Sequence, residues 1–297
     1  MLNALTTVGS GLALVILFHL IPLSLDALAW RALLRPPGRP AFSHFLKIRW
    51  IKESINNLLP VAQVGGRLVA VRLLVRNGLA SDIAGASIVL ELTVSVLTQV
   101  VYTLLGIALL ISLTQERQMV GTALGGLLIT SLGIAGFIYA QHQGVFAVLA
   151  DRLARFLDGD RWLSLVGGAK RLDAAVIASY RRPTVLGACA AGQLLSWVLG
   201  AGEVWLTLYF MGQPATLAEA MVIECLGQAV RGAAFGVPGA WGVQEGGYTL
   251  VGALFGLCPQ TGLAVSLVKR IRELVVGLPG LVAWQAIEGL SLARGRG

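Results

Sequence analysis

The chain has 297 residues, 56% of them hydrophobic and only 13% charged, where soluble domains carry about 25% charged residues. With a mean hydropathy of +0.77, this composition excludes a disordered protein, a coiled coil, a disulfide-stapled secreted domain and an ordinary cytosolic enzyme. The net charge of +8 is not a nucleic-acid footprint: of 23 Lys and Arg, nine fall in 31–76, seven in 152–182 and two in the tail, alternating with apolar stretches as the positive-inside rule describes.

In chain order, residues 8–30 form a first predicted span, read as a retained anchor because no basic region precedes it and Arg31 follows at once. Residues 42–79 are half apolar and interrupted between Pro60 and Gly66, which predicts a helix–break–helix hairpin. Spans follow at 82–112 and 119–140. Residues 141–183 form a basic amphipathic, interfacial region, and a fourth span covers 184–210. A second broken segment, 217–257, is interrupted at Gly236-Val237-Pro238-Gly239, and a fifth span, 258–287, carries Lys269, Arg270, Arg272 and Glu273. Cys189, Cys225 and Cys258 are an odd number lying in apolar stretches, so neither a disulfide framework nor a metal site is expected. The predicted fold is all-α: one polytopic transmembrane domain over 1–297, with about five full spans and two broken-helix re-entrant hairpins.

The halves 42–112 and 217–287 look like a repeat. Pro60 and Pro238 are 178 positions apart, and so are Gly78-Leu79 and Gly256-Leu257; residues 86–91 lie against 265–270 at an offset of 179. Placing every basic region on the cytoplasmic face makes the two hairpins enter from opposite sides, the inverted-repeat plan of many transporters.

Ionised side chains at bilayer depth cost about 2.5–3.5 kcal/mol each on insertion scales, so they must face one another or water. Glu91, Glu203, Glu224, Arg231, Glu245, Lys269, Arg270, Arg272 and Glu273 are predicted at that depth. Lys269 is expected to pair with Glu273 one turn away, and Arg270 with Glu91. Arg67, Glu91, Arg231, Glu245, Lys269, Arg270, Arg272 and Glu273 form the candidate substrate-binding set, because guanidinium groups beside helix breaks suit an anionic headgroup. Lys47, Arg49, Lys52, Arg72 and Arg76 are expected to meet lipid headgroups at the cytoplasmic surface. His19 is expected to hydrogen-bond between helices, Asn56 and Asn57 to brace the first break, and Gln244 and Glu245 to brace the second or touch substrate. Trp30, Trp50, Trp162, Trp205 and Trp284 are expected as aromatic-belt anchors. No P-loop, H-E-x-x-H, G-x-S-x-G or paired intramembrane aspartates occur, so neither an enzyme nor a cofactor is expected.

The run Glu53-Ser-Ile-Asn-Asn-Leu-Leu-Pro60 with Gly65-Gly66-Arg67, and Val237-Pro-Gly-Ala-Trp-Gly-Val-Gln-Glu245-Gly-Gly, resemble the two signatures of the lysylphosphatidylglycerol synthase transmembrane, flippase-like family. The run from Ser266 to Leu274 is similar to that of its hopanoid-associated branch. Asn57, Pro60, Gly65 and Arg67 match the first motif; Pro238, Gly239, Gly242 and Glu245 match the second. Ala240 departs from it, standing where a second glycine is common, and Gly66 stands where an acidic residue often follows the glycine.

The resemblance implies a multi-pass protein of the bacterial inner membrane without the soluble aminoacyltransferase half. It also implies a lipid cargo, anionic phospholipid or hopanoid-like. The expected function is lipid translocation through a charged midplane cavity. A non-transporting scaffold for lipid-modifying enzymes and an intramembrane lipid-modifying enzyme are the alternatives. Membrane lipid is the expected partner, nucleic acid is not, and lipid-biosynthetic enzymes or a second copy of the chain are further candidates.

Overall fold

The computed structural model describes residues 9, 11–34, 39–60, 64–113, 161–234 and 240–294, with scattered positions between 121 and 148. All elements among them are helices: α1 Gly11–Phe18, α2 Leu20–Ala32, α3 Phe42–Leu58, α4 Gly65–Arg76, α5 Ser81–Leu113, α6 Arg161–Tyr180, α7 Pro183–Phe210, α8 Leu217–Ala233, α9 Val243–Ala253 and α10 Pro259–Arg294. Three segments are long and apolar enough to cross a bilayer, namely Gly11–Ala32, Ser81–Leu113 and Pro183–Phe210. They coincide with three of the predicted spans. Helix α10 is 36 residues long, ample for a span by length, but carries the predicted charges. The predicted span 119–140 and most of 141–160 lie largely outside the described residues.

Local chemistry sets the element ends. Pro22 has no N–H for the Phe18 carbonyl, and the helical run is interrupted at His19 one turn before it, although Leu23 still bonds His19 at 3.2 Å. Helix α3 stops at Leu59, held extended (φ −105°, ψ 146°) by the following Pro60. Thr216 and Glu219 close a capping box at the start of α8.

The two corners have the same construction. Gly78 (φ 90°) and Gly256 (φ 74°) take the left-handed conformation. The next residue's N–H then reaches back five positions, Leu79 to the Leu74 carbonyl (3.2 Å) and Leu257 to the Gly252 carbonyl (3.1 Å). This is a Schellman closure.

Helices α4 and α9 begin 178 residues apart, and α5 and α10 do likewise. Packing is reciprocal: α10 lies on α3, and α5 lies on α8. The α1–α2 span packs on α7 with Gly11 facing Phe210, Phe18 facing Gly202 and Ala29 facing Gly192. One number rises as the other falls, so these helices are antiparallel.

Two apolar cores fill the bundle. One gathers Trp30, Phe45, Ile51, Leu74, Leu90 and Cys189; the other gathers Leu110, Leu208, Ile223, Tyr248 and Val265. Glu203 of α7 and the charges at 269–273 of α10 fall between the two.

Candidate functional site

Helix α10 places four charges within five residues, and the helical repeat sends them in different directions. Lys269 meets Glu224 of α8 at 2.8 Å and Glu203 of α7 at 3.8 Å. Tyr248 donates its hydroxyl to the other Glu224 oxygen at 2.7 Å, and Gln228 donates to Glu224 at 2.9 Å. Arg270 meets Glu245 at 3.2 Å and Glu273 at 3.6 Å, with its guanidinium 5.0 Å from the exposed Trp241 ring. Arg272 turns toward Glu203 (3.5 Å), Glu53 (3.8 Å) and His19. Glu273 receives Arg231 at 2.5 Å, and Arg231 also donates to Asn57 Oδ1 at 3.3 Å.

The network continues through Glu53 and Asp26, which sequence reasoning left without a role. Glu53 accepts from Arg49 at 3.1 Å, and Arg49 reaches Asp26 at 2.7 Å. His19 sits between Glu203 (Nδ1, 2.7 Å) and Glu53 (Nε2, 3.2 Å), an interhelical bridge as expected. Asp26 carried a findable signal, an acid within a predicted span. Glu53 was hidden in a half-apolar stretch whose charges looked superficial.

Several expectations are corrected. Lys269 does not pair with Glu273, because each finds a closer partner on α8, Lys269 at Glu224 and Glu273 at Arg231 about two turns further along. Glu91 pairs with Lys52 at 2.8 Å, not with Arg270. Lys52 is 4% exposed and lies over the Trp30 ring, and Arg49 is held inside by its two carboxylates, so neither is a headgroup contact. Trp30 is fully buried against Phe45 and donates to Ser87, so it is core and not belt. Lys47, Arg72 and Arg76 do face outward, and Arg72 meets Glu288 at 3.0 Å. Trp50 donates to the Val276 carbonyl at 2.7 Å, and the side chain of Trp162 lies outside the described residues.

The breaks are braced from within. Gly66 donates its N–H to Asn56 Oδ1 at 3.0 Å, and a Cβ on Gly66 would collide with the Lys52 carbonyl and Asn56. This close approach explains a glycine where the motif often has an acid. Arg67 follows, half-buried and within electrostatic reach of Glu91 and Arg49. Pro60 is described, whereas Pro238 and Gly239 lie outside the described residues. Past the second break, Ala240 takes φ 50°, and Gly242 (φ 79°) donates its N–H to Glu245 Oε2 at 2.7 Å. Gln244 donates to Ser266 at 3.3 Å.

Seven cations (Arg49, Lys52, Arg67, Arg231, Lys269, Arg270, Arg272) therefore intermingle with seven carboxylates (Asp26, Glu53, Glu91, Glu203, Glu224, Glu245, Glu273). A void of about 10 Å³ lies at the centre of this layer, lined by Glu53, Asn57, Arg272 and Glu273. That is room for about one water. A headgroup cannot enter until some of these pairs separate. No group of three or more His, Cys, Asp or Glu among the described residues is arranged to hold a metal.

A family model, the lysylphosphatidylglycerol synthase TM region, matches residues 1–280. The chain belongs to that family. No curated protein and no solved structure matches it. For a lysylphosphatidylglycerol synthase TM-region protein, the two motif segments are α3–α4 and the approach to α9, and both end on the ionic layer. The family and the apolar helices together make the chain a multi-pass membrane protein with a lipid-related role.

Proposed function

We propose that the chain translocates a lipid, taking the headgroup into the ionic layer between the two hairpins while the tail stays in the bilayer. The observation that carries this reading is Arg270. Its Nε and Nη1 face Glu245 and Glu273, while its buried Nη2 has no hydrogen-bond partner among the described residues. A buried guanidinium N–H without a partner costs about 1–3 kcal/mol or more. A phosphate oxygen would supply the missing acceptor. Arg270 also lies beside the exposed Trp241 at the second break.

Charge balance dictates how such a site works. A phosphate reaching Arg270 competes with Glu245 and Glu273, so binding exchanges an internal ion pair for one with the ligand. Arg231, Lys269, Arg272 and Arg67 are the neighbouring cations, and Glu203 and Glu245 are candidates to take up protons as pairs open. Glu91, tied to Lys52, braces the site. Alternation between sides follows from an inverted repeat of 42–112 and 217–287, with each broken segment a re-entrant hairpin. Antiparallel packing of Gly11–Ala32 on α7, residues related by the same 178 positions, supports that inversion. In this reading the basic loops and the C-terminus face the cytoplasm of a bacterial inner membrane. The cargo is an anionic phospholipid or, from the hopanoid-like run at Ser266–Leu274, a polycyclic triterpenoid lipid.

The test is reconstitution into liposomes with labelled lipids of both classes. Transbilayer movement above that of empty vesicles is expected for one of them, with loss in Arg270→Ala. Movement equal to empty vesicles for both would refute translocation and leave the scaffold reading. Full transport by a folded Arg270→Ala variant would refute the placement of the site.

A further inference from the structure

A second, larger cavity lies away from the ionic layer, on the basic end of the bundle. It has a volume of about 440 Å³ and is formed where the end of α2 (Leu34), the Gly78 corner, the start of α5 (Ile83) and the end of α6 (Ala178) converge on Arg182. Its size falls within the range of about 300–1,000 Å³ of small-molecule sites. The walls are apolar, and Ile83 at 48% exposure marks an opening to the surroundings.

The charge at this cavity differs in kind from the charge at the midplane. Arg182 lines it directly, at the N-cap of α7 with no side-chain capping bond. Arg39 donates through Nε and Nη2 to the carbonyl of Leu34 (3.2 and 2.9 Å), a residue of the cavity wall, which holds its guanidinium beside that wall. Arg31 donates Nε to the Pro40 carbonyl at 2.8 Å, leaving its terminal nitrogens for another acceptor. Burial, and then the neighbouring charges of Arg31 and Arg182, push the Arg39 guanidinium below its ordinary range. No ion pair with a carboxylate is found for Arg31, Arg39 or Arg182 among the described residues. In the ionic layer every cation has carboxylate company; among the described residues the three arginines here gather without it. Like charges brought together in this way are stabilised by an anion.

We infer that this cavity is a second lipid site, separate from the ionic layer, that holds an anionic phospholipid with its phosphate on Arg31, Arg39 and Arg182 and an acyl chain against Leu34, Ile83 and Ala178. Basic pockets between helices on one face of a membrane protein bind anionic headgroups in this manner. The apolar volume distinguishes a lipid from a free phosphate, which would gain nothing from it. Occupancy does not require that the chain transport anything.

Purified full-length protein titrated with phosphatidylglycerol or phosphatidylcholine, read by native mass spectrometry, tests the site. Phosphatidylglycerol is expected to bind at least tenfold more tightly than phosphatidylcholine. Arg39→Gln with Arg182→Gln should remove that preference, since each change deletes a charged donor that a phosphate accepts from. Ala178→Phe, which fills the cavity, should weaken phosphatidylglycerol binding at least tenfold with the arginines intact. Arg182→Gln alone, at a side chain that makes no helix cap, provides a variant whose folding is undisturbed and should cost several-fold. Equal binding of the two lipids, unchanged affinity in the arginine variants, or displacement of lipid by millimolar inorganic phosphate would each overturn the assignment. Because the readout is binding, a failure of transport leaves the result standing, and the reverse also holds.

Discussion

The pair between Lys52 and Glu91 is the clearest place to separate stapling from function. Its Nζ–Oε1 distance is 2.8 Å, the two side chains are 4% and 9% exposed, and the ammonium lies 4.7 Å from the centre of the Trp30 ring. At an effective dielectric of ~20 the attraction at this distance is ~6 kcal/mol, most of it offset by the cost of desolvating both ions. Glu91→Leu leaves the ammonium buried without its carboxylate, beside the Trp30 ring and within reach of the like charges of Arg49 and Arg67, an expected loss of about 3–5 kcal/mol. Lys52→Met leaves the Glu91 carboxylate with only the longer-range attraction of Arg49 and Arg67 and should cost less, about 2–3 kcal/mol. The double variant replaces an ion pair by apolar groups of like volume and should fall within about 1 kcal/mol of the parent. Equilibrium unfolding in mixed micelles measures all three, and the coupling energy should reach about 3 kcal/mol or more. A Glu91→Leu loss below ~1 kcal/mol, or a double variant that loses the sum of the singles, would refute the pairing. The double variant should also retain lipid movement, because Glu91 acts on the site only by bracing it.

Cys258 is the exposed one of three free cysteines, Cys189 and Cys225 being buried. In the inverted arrangement it faces away from the basic side, so an impermeant maleimide should label it in intact cells; labelling only after permeabilisation would reverse the topology. Ala240 holds φ 50°, a conformation that costs a non-glycine residue about 1–2 kcal/mol. Ala240→Gly should raise stability by up to about 1 kcal/mol in the same unfolding assay, and a loss would contradict the strained backbone. Gly66→Ala places a methyl against the Lys52 carbonyl and Asn56. It should cost about 1–3 kcal/mol, and neutral behaviour would show that the first break has slack.

Three apolar spans and both breaks were legible because length, hydropathy and Gly–Pro punctuation act locally. The partners of the buried charges were not, because pairing depends on which helix lies opposite which azimuth. Lys269 and Glu273 satisfy the one-turn rule on paper, yet each finds a closer partner on another helix. Arg49 and Lys52 read as surface residues in a basic stretch, until α5 and α2 supply Glu91 and Asp26 against them. Glu53 belonged to a quoted motif whose proline and glycines drew the attention. The arginines around the 440 Å³ cavity were counted as orientation signals, which is all that loop position alone can indicate.

The 178-residue correspondence of helix starts has a consequence for assembly. It sets Glu53 against Arg231, Arg67 against Glu245 and Glu91 against Lys269, three positions with opposite sign in the two halves. Two copies of the N-terminal half, brought together as the halves of this chain are, would bury a glutamate at each place where Arg231 and Lys269 now stand. Two copies of the C-terminal half would bury those cations twice over. The halves are thus complementary parts, like plug and socket, and if expressed as separate polypeptides they should recover the fold only as a mixed pair.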